Sequence, residues 1–152
     1  MITTNVMTKR KRSDHYVNNK DFLAALIKYR EDVEITFIQL HGREPLKEDR
    51  AKRWETKPQI PRYVGECFLK IAEGLSHKGN FVRYTYREEM VMDAVENCLK
   101  AIENYDIEAA TRSGKPNAFA YFTQISWYAF LRRIQKEKKQ QDIKMKYIAE
   151  AH

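Results

Sequence analysis

The chain has 152 residues, 43% of them hydrophobic and 12% aromatic, which fits one domain with a real core and argues against a wholly disordered chain. Its net charge of +7 and pI near 9.4 point to an anionic partner, nucleic acid first and an anionic membrane surface second. No stretch approaches the roughly 20 apolar residues of a membrane span, and "MITTNVMTKRKRSDH" lacks the apolar region of a secretory signal.

Glycine and proline are scarce, and apolar residues recur at intervals of three and four. The expected fold class is therefore all-α, a compact bundle of four to five helices. Residues 1–15, with the Lys9–Arg12 run, read as a flexible basic arm. A first helix is expected after "VNN", capped by the side-chain amide of Asn18 or Asn19. Phe22, Leu23, Leu26, Val33 and Phe37 give it an apolar stripe to about residue 38. Gly42, Pro45 and Pro58 then break continuity, with a short helix expected over Leu46–Trp54 in a partly mobile segment.

The second helix begins at Ile60–Pro61, where proline is tolerated. It ends near "SHKGN", where Gly79 or Asn80 offers a left-handed C-cap. A third helix is expected over roughly Tyr86–Tyr105, with Met90, Val91, Ala94, Val95, Cys98, Leu99 and Ile102 apolar. Cys67 and Cys98 fall in apolar patterns and read as buried thiols. After "DIEAATRSGKPN", a fourth helix runs from about Asn117 to at least Gln140, with Glu150 as its outer bound, and a tail is expected over residues 148–152.

Charge is divided between the last two helices. Between Glu88 and Glu108 there are seven acidic residues and one basic; between Arg132 and Lys146 there are seven basic and two acidic. Such segregation suits two different partners. The fourth helix starts "FAYFTQISWYAF" and is apolar nearly all round, more than a domain of this size can enclose. Projected at about 100° per residue, Phe119, Phe122, Ser126, Ala129 and Phe130 form a core stripe, so other aromatic side chains must be exposed. Exposed aromatics stack on unpaired bases, and Arg132, Arg133, Lys136, Lys138 and Lys139 follow as a phosphate track. The amide of Gln124 suits a base edge such as that of adenine. No glycine-rich phosphate loop, catalytic triad or metal-ligand spacing is present. The expectation is a non-enzymatic protein without cofactor or metal.

The order of these features resembles region 2 of bacterial sigma factors. An acidic amphipathic helix ends in "CLKAIENYD", a loop follows, and then comes "FAYFTQISWYAFLRRI". The chain is more similar still to the late-transcription sigma factors of T-even-type bacteriophages, through "YVNNK", "IAEGLS", "NYD" and "RIQKEKK", over about residues 16 to 147. The resemblance implies a subunit that binds host core RNA polymerase and directs it to late promoters in the cytoplasm of the infected bacterium. Glu89, Met92, Asp93, Val95 and Glu96 fall where that family contacts the clamp helices of the largest subunit. The fourth helix would recognise and melt an AT-rich −10-type element, chiefly on the non-template strand. Phe119, Tyr121, Phe122, Gln124, Trp127, Tyr128, Arg132, Arg133, Lys136 and Lys139 are its expected DNA contacts. Phe122 aligns with the aromatic that stacks on the flipped adenine, and Ile125–Ser126 align with the family's tandem tryptophans. A phage co-activator and a sliding clamp are further partners the family implies, although "YIAEAH" does not match its clamp motif and no reading of a −35 element by a region 4-like segment is expected. Two rivals share these features: a polymerase-binding adaptor or inhibitor that ignores DNA, and a general single-strand-binding protein.

Overall fold

The computed structural model describes residues 15–108 and 117–151. Apart from His15, the expected basic arm lies outside the described residues, as does most of the loop before the last long helix. Among the described residues there are five α-helices and no strand: α1 Asn19–His41, α2 Arg50–Glu55, α3 Arg62–Ser76, α4 Arg87–Ala101 and α5 Ala118–Ala151. Short 3-10 turns precede α2 at Lys47–Asp49 and extend α4 at Ile102–Asn104. None of the helices is long and apolar enough to cross a membrane.

Both asparagines of "VNN" act as caps, but on different helices. Asn18 Oδ1 accepts from the Asp21 amide at 3.1 Å and starts α1. Asn19 Oδ1 accepts from the Phe119 amide at 3.0 Å and so satisfies a donor at the start of α5. Asn117 Oδ1 takes the Ala120 amide at 2.9 Å. First-turn amides have no partner inside the helix, so each bond fixes where a helix begins. α1 ends at Gly42, whose φ of 68° allows its amide to reach Ile38 O. The expected left-handed cap at Gly79 or Asn80 is not formed. His77 closes α3 in a right-handed conformation, and turns carry the chain to buried Phe81.

The segment expected to be partly mobile is tied down. Arg43 donates two hydrogen bonds to Asp49, at 2.6 and 3.1 Å, and the Leu46 amide donates to Asp49 Oδ2 at 2.9 Å. The Arg43 guanidinium and then the Leu46 amide hold the Asp49 carboxyl well below the usual carboxylate range. α2 inserts Trp54 beside Tyr29, whose hydroxyl donates to Pro58 O at 2.7 Å.

Two apolar clusters share α5. One centres on Phe22, Phe68 and Phe122 and draws on α1, α3, α4 and α5; the other joins Leu75, Phe81, Met90 and Phe130. Burying these rings at roughly 1.5–3 kcal/mol per large apolar side chain sets the rotation of α5 over α3 and α4. Cys67 and Cys98 are buried free thiols, and burial pushes the Cys98 thiol up to about 11. α5 continues as one helix through residues 148–151, where a tail was expected, and past Gln135 almost all its side chains are exposed.

Candidate nucleic-acid interface

The rotation of α5 decides which aromatics are available. Phe122 is fully buried, with ring centroids of Phe68, Phe22 and Tyr105 at 4.8, 5.6 and 5.5 Å. It therefore cannot receive a base, and the expected stacking role is corrected to a core role. Tyr121 is half-buried against Tyr105 at 4.7 Å and packs on the first cluster, away from the exposed groove. Burial raises its phenol above the ordinary value.

Phe119, read as core by projection, is instead 37% exposed. It lines a shallow groove with Ala120, Thr123, Gln124, Trp127 and Tyr128. These positions recur at i, i+4 and i+8, one face of a helix about 12 Å long from Phe119 to Trp127. Trp127 packs edge-on to Phe81 at 4.9 Å, which fixes its indole from behind. Tyr128 is 48% exposed, and its hydroxyl lies 3.5 Å from Gln124 Nε2. Thr123 is committed to its own helix through a 2.7 Å bond to Phe119 O.

The two residues aligned with the tandem tryptophans are both packed inward. Ile125 packs against the first core cluster, and Ser126 is fully buried with its hydroxyl 2.9 Å from Phe122 O and 3.5 Å from Cys98 Sγ. The adjacent aromatic pair on the helix is Trp127–Tyr128, two positions later, with Trp127 half-buried against the second cluster and Tyr128 exposed.

The basic residues divide as well. Arg132, Lys136 and Lys139 are exposed on successive turns beyond the groove. Arg133 is not free: its side chain is 20% exposed and donates to Asp93 at 2.6 and 2.9 Å and to Glu137 at 3.2 Å. Those carboxylates, Asp93 foremost, hold its guanidinium firmly protonated. Arg133 as an open phosphate contact is thus corrected to a clasp between α5 and α4.

The same clasp removes Asp93 from the open surface of α4. Val95 is half-buried and packs on both clusters, so it too is corrected from a contact to a packing residue. Glu89, Met92 and Glu96 remain exposed, Met92 at 61% and Glu96 paired to Lys100 at 3.2 Å. Beside Met92 lies a mainly apolar notch of about 360 Å³, lined by Leu69 and Val91 and edged by Glu73 and Glu88. Leu69 and Glu73 of α3 were not singled out from sequence, because their place beside α4 depends on helix packing.

No family model and no curated protein matches the chain. Among the described residues, no group of three or more His, Cys, Asp or Glu is placed to hold a metal ion.

Proposed function

We propose that the protein is a sigma-type specificity subunit, non-enzymatic, that binds core RNA polymerase and helps open an AT-rich −10-type promoter element. The observation that carries this reading is the groove of Phe119, Gln124, Trp127 and Tyr128 continuing into Arg132, Lys136 and Lys139 on one helix. Bases stack on the aromatic rings at about 1–3 kcal/mol each. That offsets the few kcal/mol needed to unpair and flip a base, a cost lowest where pairing is weakest. Lysine and arginine hold the backbone phosphates of the displaced strand. The exposed Glu89, Met92 and Glu96 give the polymerase an acidic, partly apolar face on α4, and the resemblance to phage late sigma factors supplies the partner and its setting in the infected host. Trp127 and Tyr128 take the role of the family's tandem tryptophans in this reading.

The test is run-off transcription with bacterial core polymerase on an AT-rich −10 template. Specific initiation that depends on the protein is expected. Trp127→Ala with Tyr128→Ala should keep polymerase binding and lose permanganate-reactive thymines in the opened element. Absence of specific initiation with the core enzymes of candidate phage hosts would sink the reading. A second reading, a general single-strand-binding protein, is favoured by the same groove taken alone. It requires tight binding to isolated oligonucleotides without polymerase.

A further inference from the structure

A polar pocket of about 430 Å³ opens where α1, α2 and the 3-10 turn after α4 meet, and it shares no residue with the aromatic groove of α5. Its volume falls in the range of small-molecule sites. Arg30 of α1 and Arg50 and Arg53 of α2 line it, and so do the carboxylates Glu103, Asp106 and Glu108 from the end of α4 onward. Trp54 and Tyr105, both buried, complete the lining. The arginines have neutral or weak partners. Arg30 donates to Tyr105 O at 3.1 Å and Arg50 to Asn104 Oδ1 at 3.0 Å, both uncharged oxygens. Arg53 donates at 3.2 Å to Glu34, whose side chain is 47% exposed. A guanidinium has five donors, so each of the three retains N–H groups for a ligand. Two buried polar atoms of the lining residues, Arg53 Nε and Tyr105 Oη, have no hydrogen-bond partner among the described residues. Such atoms cost free energy unless a bound group satisfies them.

We propose that this pocket binds a free guanine nucleotide, with its phosphates on the arginines and its base edge on the carboxylates. The balance of charge selects the ligand. A small anion alone would meet as many carboxylates as arginines, so the occupant is anionic at one end and rich in donors at the other. Phosphate oxygens pair with guanidinium forks two at a time. Guanine carries adjacent N1–H and N2–H donors, which the two oxygens of one carboxylate accept together. Adenine places an acceptor, N1, beside its amino group, and a carboxylate repels that acceptor. Asn104 favours the same base: Arg50 takes its carbonyl oxygen, which leaves its amide N–H groups to donate to guanine O6. The inference does not draw on the sigma-type reading, because the pocket is built from α1, α2 and the end of α4, without the groove residues of α5.

Equilibrium dialysis of the full chain against labelled GTP, GDP, GMP, ATP and inorganic phosphate tests this. GTP and GDP are expected to bind with Kd below about 1 mM, more tightly than GMP, and GTP at least about tenfold more tightly than ATP. Arg50→Gln removes a charged donor at an exposed position and should weaken GDP roughly tenfold or more. Arg53→Gln takes its place if circular dichroism shows that Arg50→Gln does not fold. Glu103→Gln combined with Glu108→Gln should bring the ratio of GTP to ATP affinity toward one. Lys78→Gln makes the same change of charge at an exposed site just past α3 and should leave GDP affinity unaltered. An equal loss in Lys78→Gln overturns the pocket, since charge alone would then explain the binding. Equal affinity for GTP and ATP, or inorganic phosphate bound as tightly as GMP, overturns the guanine assignment. Displacement of GDP by a guanine-bearing single strand at equal nucleotide concentration makes this a strand contact and overturns the free-nucleotide assignment. Binding that survives both arginine variants but is lost in Trp127→Ala with Tyr128→Ala belongs to the groove and overturns the pocket. No binding of any nucleotide up to about 1 mM overturns the proposal and leaves the sigma-type reading standing.

Discussion

Replacing Phe122 and Phe119 one at a time by alanine separates the core of α5 from its groove. Phe122 has no exposed surface and touches rings from α1 and α3 and that of Tyr105, just beyond the 3-10 turn after α4. Phe→Ala in such a place costs about 3–5 kcal/mol, from lost transfer energy and the cavity left behind. For a chain of this size each kcal/mol moves the melting midpoint by about 2–4 °C, so a drop of roughly 6–20 °C is expected. Phe119 keeps 37% of its surface in water, so its truncation should lower the midpoint much less. Its loss should instead weaken binding to an AT-rich single strand by one stacking contact, about 1–3 kcal/mol, or roughly five- to 150-fold in Kd. Circular-dichroism melts and anisotropy on the same preparations measure both. If Phe122→Ala left the midpoint unchanged and abolished strand binding, the rotation of α5 described above would be wrong.

Ser126→Trp, which restores a tryptophan where family alignment expects one, should destabilise the protein by at least about 1–3 kcal/mol, because the site is filled; a melt reads this directly, and an unaltered midpoint would favour the alignment. Asp93→Lys places a second cation against Arg133 and removes its two-oxygen partner. It should cost about 1.5–3 kcal/mol by chemical denaturation, the scale of hydrogen bonds to charged groups, before any effect on polymerase binding is scored. Asp49 titrates below its unfolded value of about 3.9, so its contribution to stability is fully present above that value and is lost as pH falls through the folded one. The stability gap between wild type and Asp49→Asn should accordingly be flat from neutral pH to about 5 and close as the pH drops below about 4, as measured by urea unfolding across pH.

The helices were legible because their signals are local. Asn18, Gly42 and the apolar spacing of Phe22, Leu26, Val33 and Phe37 mark α1 without reference to anything distant. α4 reads equally well, from Met90 through Ile102. The segment 43–57 was less legible, since its order comes from Arg43 meeting Asp49 and Trp54 meeting Tyr29. The candidate interface was legible as a helix and a composition, but not as a face. Phe119 and Phe122 differ by three residues, and both project toward the same side of an ideal helix. Which one is buried is decided by Phe22 and Phe68, supplied by other elements. The Asp93–Arg133 clasp was hidden for a related reason: its partners are separated by 40 positions, and each alone reads as an ordinary surface charge.

The last side chain of α5 packed on the body of the protein is Ile134, and the helix continues to Ala151. At 1.5 Å per residue that free stem is about 25 Å long. Laid beside a duplex with a 3.4 Å rise, it spans roughly seven base pairs. Ile143, Met145, Tyr147 and Ile148 sit near its tip, each more than half exposed. The helix therefore acts as a ruler: anything that grips the tip stands a fixed distance from the groove, and inserting or deleting whole turns between Lys139 and Ile143 would reset that distance.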